Sequence, residues 1–369
     1  MNQLFRWDQT GLFLLALAAG ILPFAVPEVC AAALREGLTL CSGPLLLSLF
    51  PFLVVSRLLI QCPESDLLAL PFRLAAWGIG IRTPCAARVL CIGFLGGFAP
   101  AASAAAQAVR TGQLTAEEAD ALLPACICSG PSFVVLTVGQ SLLGSAELGV
   151  LLFASQITAN YLTAALLNRF AGVRSVKPGS AAPASPAPPR LDEILADAAI
   201  TYCKLCGFIL FFRMLAAGAG ALLPAGAGTL CSILLEVCSG CDLASRTGRW
   251  GSLLCCAALS VQGLSVLLQV RTICPPEMTL RPLYWARLLH LPLSLALFYL
   301  LLPGGEADVF STLPARVLLM RRVPPDCALL VFAVCCMAAC TLRSGIRQVE
   351  QKQMARNAGG CCINSKTLL

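Results

Sequence analysis

The stretch TAEEADALLPACICSGPSFVVLTVGQSLL, residues 115–143, decides the fold because it is apolar yet interrupted in its middle. Thr115 and Glu118 form a capping box that starts a helix, and the Ser129-Gly130-Pro131 turn must end it. From Ala116 to Cys128 the chain has 13 residues, or about 20 Å of helix, which is less than the roughly 30 Å of bilayer hydrocarbon. We therefore predict a re-entrant helical hairpin that enters the membrane and returns to the same side.

The composition agrees with a membrane location. The chain has 369 residues, 58% of them hydrophobic and 12% charged, and its mean hydropathy is +0.81, whereas soluble domains are about half apolar and a quarter charged. The first apolar run, Gly11 to Val26, is expected to be a retained helix and not a cleaved signal, because no small-x-small cleavage site follows it. Further apolar runs near the roughly 20 residues that a spanning helix needs lie at 43–60, 145–168, 203–223, 283–302 and 327–342.

The net charge is +7, and the positions of the basic residues predict which segments face the cytoplasm. The basic residues form no stripe with interleaved aromatics, so nucleic acid is not an expected partner. They flank the linker SVKPGSAAPASPAPPR (175–190) and dominate the tail 343–369, where Glu350 is the single acid. By the positive-inside rule both segments are predicted to be cytoplasmic in a multi-pass membrane protein. The prolines of the linker preclude a helix and divide the chain into two membrane halves.

The second half repeats the arrangement of the first. A second hairpin is predicted over 251–272, around Gln262-Gly263. Gly130-Pro131-Ser132 can be aligned with Gly263-Leu264-Ser265, so that each glycine and each serine coincide. The position of this short match at both predicted hairpin turns favours an internal repeat.

Each predicted hairpin is preceded by a helix that we expect to be broken. The first, 85–109, contains the structural candidates Gly93, Gly96, Gly97 and Pro100. The second, 229–245, contains Ser239 and Gly240 beside Glu236. Non-helical backbone at membrane depth is tolerated only where protein or a water-filled cavity covers it. Two hairpins and two broken helices in paired positions are typical of a transporter site between repeats.

The predicted fold is an all-α polytopic membrane protein with two inverted repeats, each with a broken helix and a re-entrant hairpin. The alternation of basic loops supports the inversion. Residues 191–202 are expected to form a short amphipathic helix on the cytoplasmic surface, and the alternative is that they begin the next membrane helix. The predicted organisation is 1–84 N-terminal helices; 85–174 first repeat with hairpin 116–143 and helix 145–168; 175–190 linker; 191–302 second repeat with helix 203–223, broken helix 229–245, hairpin 251–272 and helix 283–302; 303–342 loop and last membrane helix; 343–369 basic tail.

Polar groups at membrane depth are the candidates for function. Glu236 is the one acid in the apolar stretch 231–240, where it could bind a proton, a cation or a substrate hydroxyl; the alternative is a structural hydrogen bond to the hairpin backbone. The neutral candidates could hydrogen-bond a polar solute or could simply pack. The complete set of substrate or gate candidates is Ser129, Gly130, Pro131, Ser132, Glu236, Ser239, Gly240, Gln262, Gly263, Ser265 and Gln269.

No enzyme, cofactor or metal site is expected. His290 has no triad partner in the sequence, and no H-E-x-x-H motif, Walker loop or paired-carboxylate signature is present. Most of the 21 cysteines lie in apolar segments, where cysteine behaves as a small hydrophobe. Cys203/Cys206 and Cys238/Cys241 have C-x-x-C spacing, but a structural zinc site usually needs four ligands in one place.

Four stretches occur in a fixed order along the chain: 93–139, GFILFF (207–212), LLEVCSG (234–240) and LSVQGLSVLLQV (259–270). Their order resembles the sporulation integral membrane proteins of the YlbJ type, within the broader Gate or nucleoside-recognition family. This resemblance implies half of the scaffold of concentrative nucleoside transporters, a location in the bacterial cell (inner) membrane and a sporulation role in an endospore-forming bacterium. It does not imply a particular solute.

Three hypotheses follow from the sequence. The first is a transporter-like protein that moves a small polar solute, nucleoside-like or an ion, by alternating access between the hairpins. The second is a non-transporting membrane scaffold needed for spore formation. The third is an ion or metal conduit, which requires several thiols to converge. Besides the lipid bilayer and a solute or coupling ion, a homo-oligomer or other membrane proteins are left open as partners.

Overall fold

The computed structural model describes residues 9–62, 65–171 and 191–302. Within these ranges the protein is entirely helical and contains no strand. One segment, Ser132–Leu142, is a π-helix, and Gly248–Trp250 is a single 3₁₀ turn. The α-helices are α1 Gln9–Ala25, α2 Pro27–Ser42, α3 Pro44–Gln61, α4 Ser65–Leu68, α5 Leu70–Gly78, α6 Pro84–Gly96, α7 Phe98–Arg110, α8 Ala116–Cys126, α9 Ala146–Ala171, α10 Leu191–Leu222, α11 Ala225–Leu235, α12 Val237–Ser245, α13 Gly251–Val261, α14 Gly263–Ile273 and α15 Arg281–Leu301.

Five helical stretches of the described chain are long and apolar enough to cross a membrane, which makes this a membrane protein with several candidate spans. The predicted linker 175–190, the apolar run 327–342 and the tail 343–369 lie outside the described residues. The five stretches are Pro27–Leu47, Ala146–Ala171, Leu191–Leu222, Gly248–Ile273 and Arg281–Leu301.

The predicted amphipathic surface helix at 191–202 is not separate. It is the first part of α10, which continues without a break to Leu222. Residues 191–202 are thus continuous with the candidate membrane span Leu191–Leu222, the arrangement that the alternative describes. The reason is that one buried stripe runs through the whole helix at spacings of three and four residues, in the order Ile194, Ala198, Tyr202, Leu205, Ile209 and Phe212.

The segment predicted as the first broken helix, 85–109, folds back on itself. Arg88 Nη2 donates to Gln113 Oε1 over 2.9 Å, and a Cβ built on Gly93 would lie 3.2 Å from that of Ala101. Eight residues of continuous helix would separate Gly93 from Ala101 by about 12 Å. α6 and α7 therefore form a helical hairpin, whose close packing is permitted by the buried alanine-rich face of α7.

The segment predicted as the first hairpin, 116–143, does not fold back. It continues in one direction past the break in its middle. The whole segment packs along α9 and runs antiparallel to it. It consists of α8, the break at 127–131 and the π-helix, and α9 is about 39 Å long. The prediction that the chain turns back here is therefore wrong. The contacts that establish the direction pair Ala121 with Asn168, Ile127 with Asn160, and Gly139 with Gly149.

In the second half of the chain, too, the segment predicted as a broken helix is a hairpin, and the segment predicted as a hairpin is an interrupted helix. The predicted broken helix 229–245 is the hairpin α11–α12, because a Cβ on Gly240 would lie 2.8 Å from Ile233 Cα. The predicted hairpin 251–272 is an interrupted helix, α13–α14, that runs antiparallel to α15. Contacts along α15 and the residues before it pair Cys256 with Ser294, Ser260 with Arg287, and Arg271 with Met278.

We call α6 to α9 the first unit and α11 to α15 the second unit. Each contains, in the same order, a hairpin, an interrupted helix and a long helix. The two long helices pack together with Arg287 against Asn160 and His290 against Gln156. Since residue numbers rise along α15 as they fall along α9, these two helices are antiparallel.

Candidate functional site

The tip of each hairpin lies against the break of the interrupted helix in its own unit. In the first unit the tip is Gly97, and a Cβ built there would be 2.7 Å from Gly130 N. In the second unit the tip is Glu236, whose backbone nitrogen would be 3.0 Å from a Cβ on Gly263. We call these contacts the first and second junctions. At each junction, a hairpin tip and a helix break bring non-helical backbone into the interior of the protein. At membrane depth such backbone is tolerated only where protein or a water-filled cavity covers it.

Glu236 forms the second tip and caps the helix that follows it. Its backbone is extended, and its two carboxylate oxygens accept hydrogen bonds from Cys238 N at 2.9 Å and Ser239 N at 2.7 Å. The residue is only 2% exposed. A carboxylate at a helix N-terminus is stabilised by the free N–H groups and by the helix dipole. The Glu236 carboxylate is therefore the N-cap of α12, and its bonds go to its own segment 229–245 and not to the segment 251–272 predicted as the hairpin.

A small cavity of about 70 Å³ lies between the two junctions. We call it the central cavity. It has room for about two water molecules. Its apolar wall includes Leu49, Phe52, Ile209 and Val266. The predicted site residues that line it are Ser129, Gly130, Pro131, Ser132, Glu236 and Gln269.

Two further candidates connect the cavity wall to its surroundings. Gln262 is buried, and its Nε2 donates to Leu259 O at 2.6 Å and to Ser129 Oγ at 3.3 Å, which joins the two breaks. Ser265 Oγ accepts from Gln269 Nε2 at 2.9 Å. The side-chain oxygens of Gln262 and Gln269 have no hydrogen-bond partner among the described residues. Two buried acceptors beside a cavity are an arrangement that a donor-bearing solute or a cation could satisfy.

The remaining candidates are parts of the hairpins. Ser239 contributes a backbone N–H to the Glu236 carboxylate, and Gly240 allows α12 to approach Ile233. Gly263 occupies the second break with φ of +70°. The structural candidates of the first hairpin behave similarly: Gly93 faces Cys126, Gly96 packs against Pro100, and Gly97 is the tip.

Arg287 is a buried residue at the centre that the sequence reasoning missed. It is 7% exposed, and its guanidinium donates to Ile127 O at 2.8 Å, Ser260 O at 3.3 Å and Asn160 Oδ1 at 3.3 Å. Ile127 is the C-cap of α8, and Ser260 lies in the last turn of α13. A cation here is stabilised by the negative ends of both helix dipoles. The signal was available, since an arginine inside an apolar run is costly unless it has a role.

A second buried polar group adjoins Arg287 between the long helices and α13. His290 Nε2 lies 3.2 Å from Gln156 O, and Gln156 Nε2 donates to Ser260 Oγ at 2.9 Å, which in turn contacts Ser294 Oγ. Hydrogen bonds of this kind hold membrane helices together in the absence of a hydrophobic driving force. His290 is thus an interhelical contact.

The cysteines of the two C-x-x-C pairs lie on separate helices, Cys203 and Cys206 on α10 and Cys238 and Cys241 on α12. Within residues 9–62, 65–171 and 191–302, no three His, Cys, Asp or Glu side chains come together as metal ligands would. The described residues therefore offer no support for a conduit lined by thiols.

Comparison of the chain with protein-family models, with curated proteins and with solved structures finds no match.

Proposed function

We propose that this protein is a secondary-transporter-like membrane protein that moves a small polar solute by alternating access around the two junctions. One observation carries the proposal: each hairpin tip meets the helix break of its own unit, beside a cavity lined by the buried residues Ser129, Glu236 and Gln269. Interrupted helices that meet at the bilayer midplane are the usual site for substrate and coupling ion in such transporters.

The two units are proposed to be inverted repeats. Each has the order hairpin, interrupted helix, long helix, and α8 and α13 each run antiparallel to the long helix of their own unit. Because α9 and α15 are themselves antiparallel, corresponding helices point in opposite directions. This direction reversal supports a rocking or gating motion of one unit against the other.

The chemistry of the cavity favours a solute with hydrogen-bond donors or a positive charge. The Glu236 carboxylate and the Gln269 amide oxygen, which has no partner among the described residues, are both acceptors on its wall. A volume of about 70 Å³ holds only an ion or about two waters. A nucleoside-like solute would therefore require the junctions to separate, which is what alternating access supplies.

The bacterial inner membrane and the sporulation role rest on the sequence resemblance, and the cytoplasmic placement of the linker and tail rests on the positive-inside rule. We propose a location in the bacterial inner membrane, with linker 175–190 and the basic tail in the cytoplasm, and an association with sporulation. The five candidate spans support the membrane part of this proposal.

The test is transport in proteoliposomes, with labelled uridine as the nucleoside probe and sodium as the ion probe. Glu236→Gln removes the charge and leaves one amide oxygen to accept at the α12 N-terminus, so uptake should fall at least about tenfold. Glu117→Gln is the matched control, because it makes the same charge change at an exposed first-turn position. Unchanged uptake in Glu236→Gln would remove this residue from the site. Absence of uptake of every probe by the unaltered protein would remove the transporter proposal.

A non-transporting scaffold is the second candidate, and the apolar wall and small volume of the central cavity favour it. Ser132→Leu distinguishes the two, because it would fill the cavity without altering an outer surface. A scaffold should still support spore formation when the cavity is filled, whereas a transporter should lose it.

A further inference from the structure

A second and larger cavity, which we call the lateral cavity, lies beside the central one. Its volume is about 310 Å³, at the lower end of the range for small-molecule sites. Its walls come from α3, α7, α10 and α14, so both units and two helices outside them enclose it. The residues that matter for its chemistry are Arg57, Ser103, Arg110, Asp197, Thr201, Lys204, Gln269 and Thr272.

The charges of the lateral cavity do not balance. Arg57 is paired with Asp197 at 2.6 Å and also donates to Ser103 Oγ and Thr201 Oγ1, so its charge is balanced and three of its five N–H groups are bonded. Arg110 and Lys204 complete the set of charged lining residues. Three cations and one anion leave an excess of two positive charges.

Neither of the two excess cations has a carboxylate partner within the described part of the chain. Arg110 has one long contact, 3.5 Å from Nη2 to Ile273 O, and Lys204 has none. Both side chains are exposed where they border the cavity. Cations that line a concave space without a counter-charge attract anions, and guanidinium and ammonium groups bind phosphate or carboxylate through charge-assisted hydrogen bonds.

Gln269 connects the lateral cavity to the central cavity. It borders both the lateral and the central cavity, is 2% exposed, and has a side-chain oxygen without a partner. Gln269 is the lining residue that the cationic cavity and the cavity at the junctions share among the described residues. Within the ranges that the structure describes, its side chain has one anchor, the bond to Ser265 Oγ, which a rotation can break at low cost.

We propose that the lateral cavity is the access site of the solute pathway, that it binds a phosphate or carboxylate group through Arg110 and Lys204, and that Gln269 closes the route to the central cavity. This inference rests on the proposed transport function for its direction, but binding of an anion to the cavity can be measured without transport. The solute is then a molecule with an anionic group at one end and hydrogen-bond donors at the other.

The binding test uses inorganic phosphate as the probe and the full chain in nanodiscs of phosphatidylcholine. The double variant Arg110→Gln/Lys204→Gln should weaken phosphate binding at least about tenfold, because it removes both unbalanced cations. The control Arg169→Gln/Arg249→Gln lowers the net charge by the same amount at exposed sites outside the cavity. Equal weakening in both double variants, or no phosphate binding to the unaltered protein, would overturn the proposal.

A second arm identifies the source of the anion. When phosphatidylglycerol replaces part of the phosphatidylcholine, a cavity for a soluble solute should retain its phosphate affinity. Loss of phosphate binding that is restored by removing phosphatidylglycerol would assign the cavity to a lipid headgroup and overturn its role in access.

A third arm tests Gln269 through Cys238, a native thiol that borders the central cavity. Gln269→Ala should speed modification of Cys238 by a sulfonate-bearing thiol reagent, followed by peptide mass spectrometry, relative to the exposed Cys203. An unchanged ratio of the two rates would overturn the gating role. Failure of transport with intact anion binding would instead refute the proposed function and leave the binding site standing.

Discussion

Both junctions join a hairpin tip to the break of an interrupted helix, but the residues that surround the two contacts differ. At the first, Gly97 meets Gly130, and backbone touches backbone with no side chain between them. At the second, Gly263 likewise lies against the backbone of Leu235 and Glu236, but two buried polar side chains flank the contact: Glu236 caps α12, and Gln262 donates both to its own helix end and to Ser129. Both junctions are thus closed by backbone packing, and the second also carries hydrogen-bonding side chains.

This difference indicates which junction can move. The backbone approach is closer at the first junction, where an added Cβ would lie 2.7 Å from the facing backbone, against 3.0 Å at the second, and a close-packed contact without side chains has no adjustable part. Side-chain hydrogen bonds exchange for water at a net cost of about 1 kcal/mol each. We infer that the first junction is the fixed pivot and the second is the side that opens, and the following predictions are ordered by how strongly they test that inference.

The largest effect is expected for Gly97→Ala. Gly97 has φ of +80°, and the added Cβ would lie 2.7 Å from Gly130 N, so backbone strain and overpacking together should lower the free energy of unfolding by about 2 to 5 kcal/mol. The measurement is a denaturant titration in detergent micelles.

Gly112→Ala is the matched control for that substitution. Gly112 has φ of +69° and nothing within 4 Å of the added Cβ, so it should lose only the strain, about 1 kcal/mol. Equal losses in the two variants would mean that the contact between Gly97 and Gly130 contributes nothing.

The next effect concerns Arg287, which holds the helix ends of both breaks. Arg287→Gln leaves at most one of the carbonyls of Ile127 and Ser260 bonded, and we expect a loss of about 3 kcal/mol in the free energy of unfolding. Arg246→Gln, which breaks a surface pair with Asp242 within one helix, should cost less than about 0.5 kcal/mol. If the Arg287 variant is as stable as the Arg246 variant, the guanidinium does not couple the two breaks.

A moderate effect is expected for Gly263→Ala at the second junction. Its φ is +70°, and the added Cβ would lie 3.0 Å from Glu236 N and Leu235 O, so the loss should be about 1 to 3 kcal/mol. Because this junction is the side inferred to open, transport should fall by a larger factor than stability accounts for. A loss of stability as large as that of Gly97→Ala would contradict the distinction between pivot and gate.

The junctions also mark what the sequence could and could not reveal. Helix ends were predictable from local chemistry: the capping box of Thr115 and Glu118 begins α8, and Ser129-Gly130-Pro131 falls in its break. The direction of the chain after each break was not, because about 17 Å of helix fits both a returning hairpin and half of a crossing. That choice depends on long-range packing, such as the alanine face of α7 against α6.

The candidate residues also divide into those that local sequence signals identify and those that depend on long-range contacts. Those next to a turn signal, from Ser129 to Ser132 and from Gln262 to Ser265, were identifiable because glycine and proline mark interrupted helices. The partners of Arg287 were not, since Ile127 O and Ser260 O are backbone atoms that come from distant parts of the chain. No pattern of side chains identifies an unpaired carbonyl.

The smallest change in stability is expected for Glu236→Asp, which separates the two roles of this carboxylate. Aspartate is among the best N-cap residues, so the bonds to Cys238 N and Ser239 N should survive, and the free energy of unfolding should change by no more than about 0.5 kcal/mol. The shorter side chain withdraws the charge from the central cavity by about one carbon–carbon bond. If Glu236 also binds the solute, transport should fall while stability does not; if it only caps α12, both should be retained, whereas Glu236→Ala, which removes the cap, should cost about 1 to 2 kcal/mol in either case.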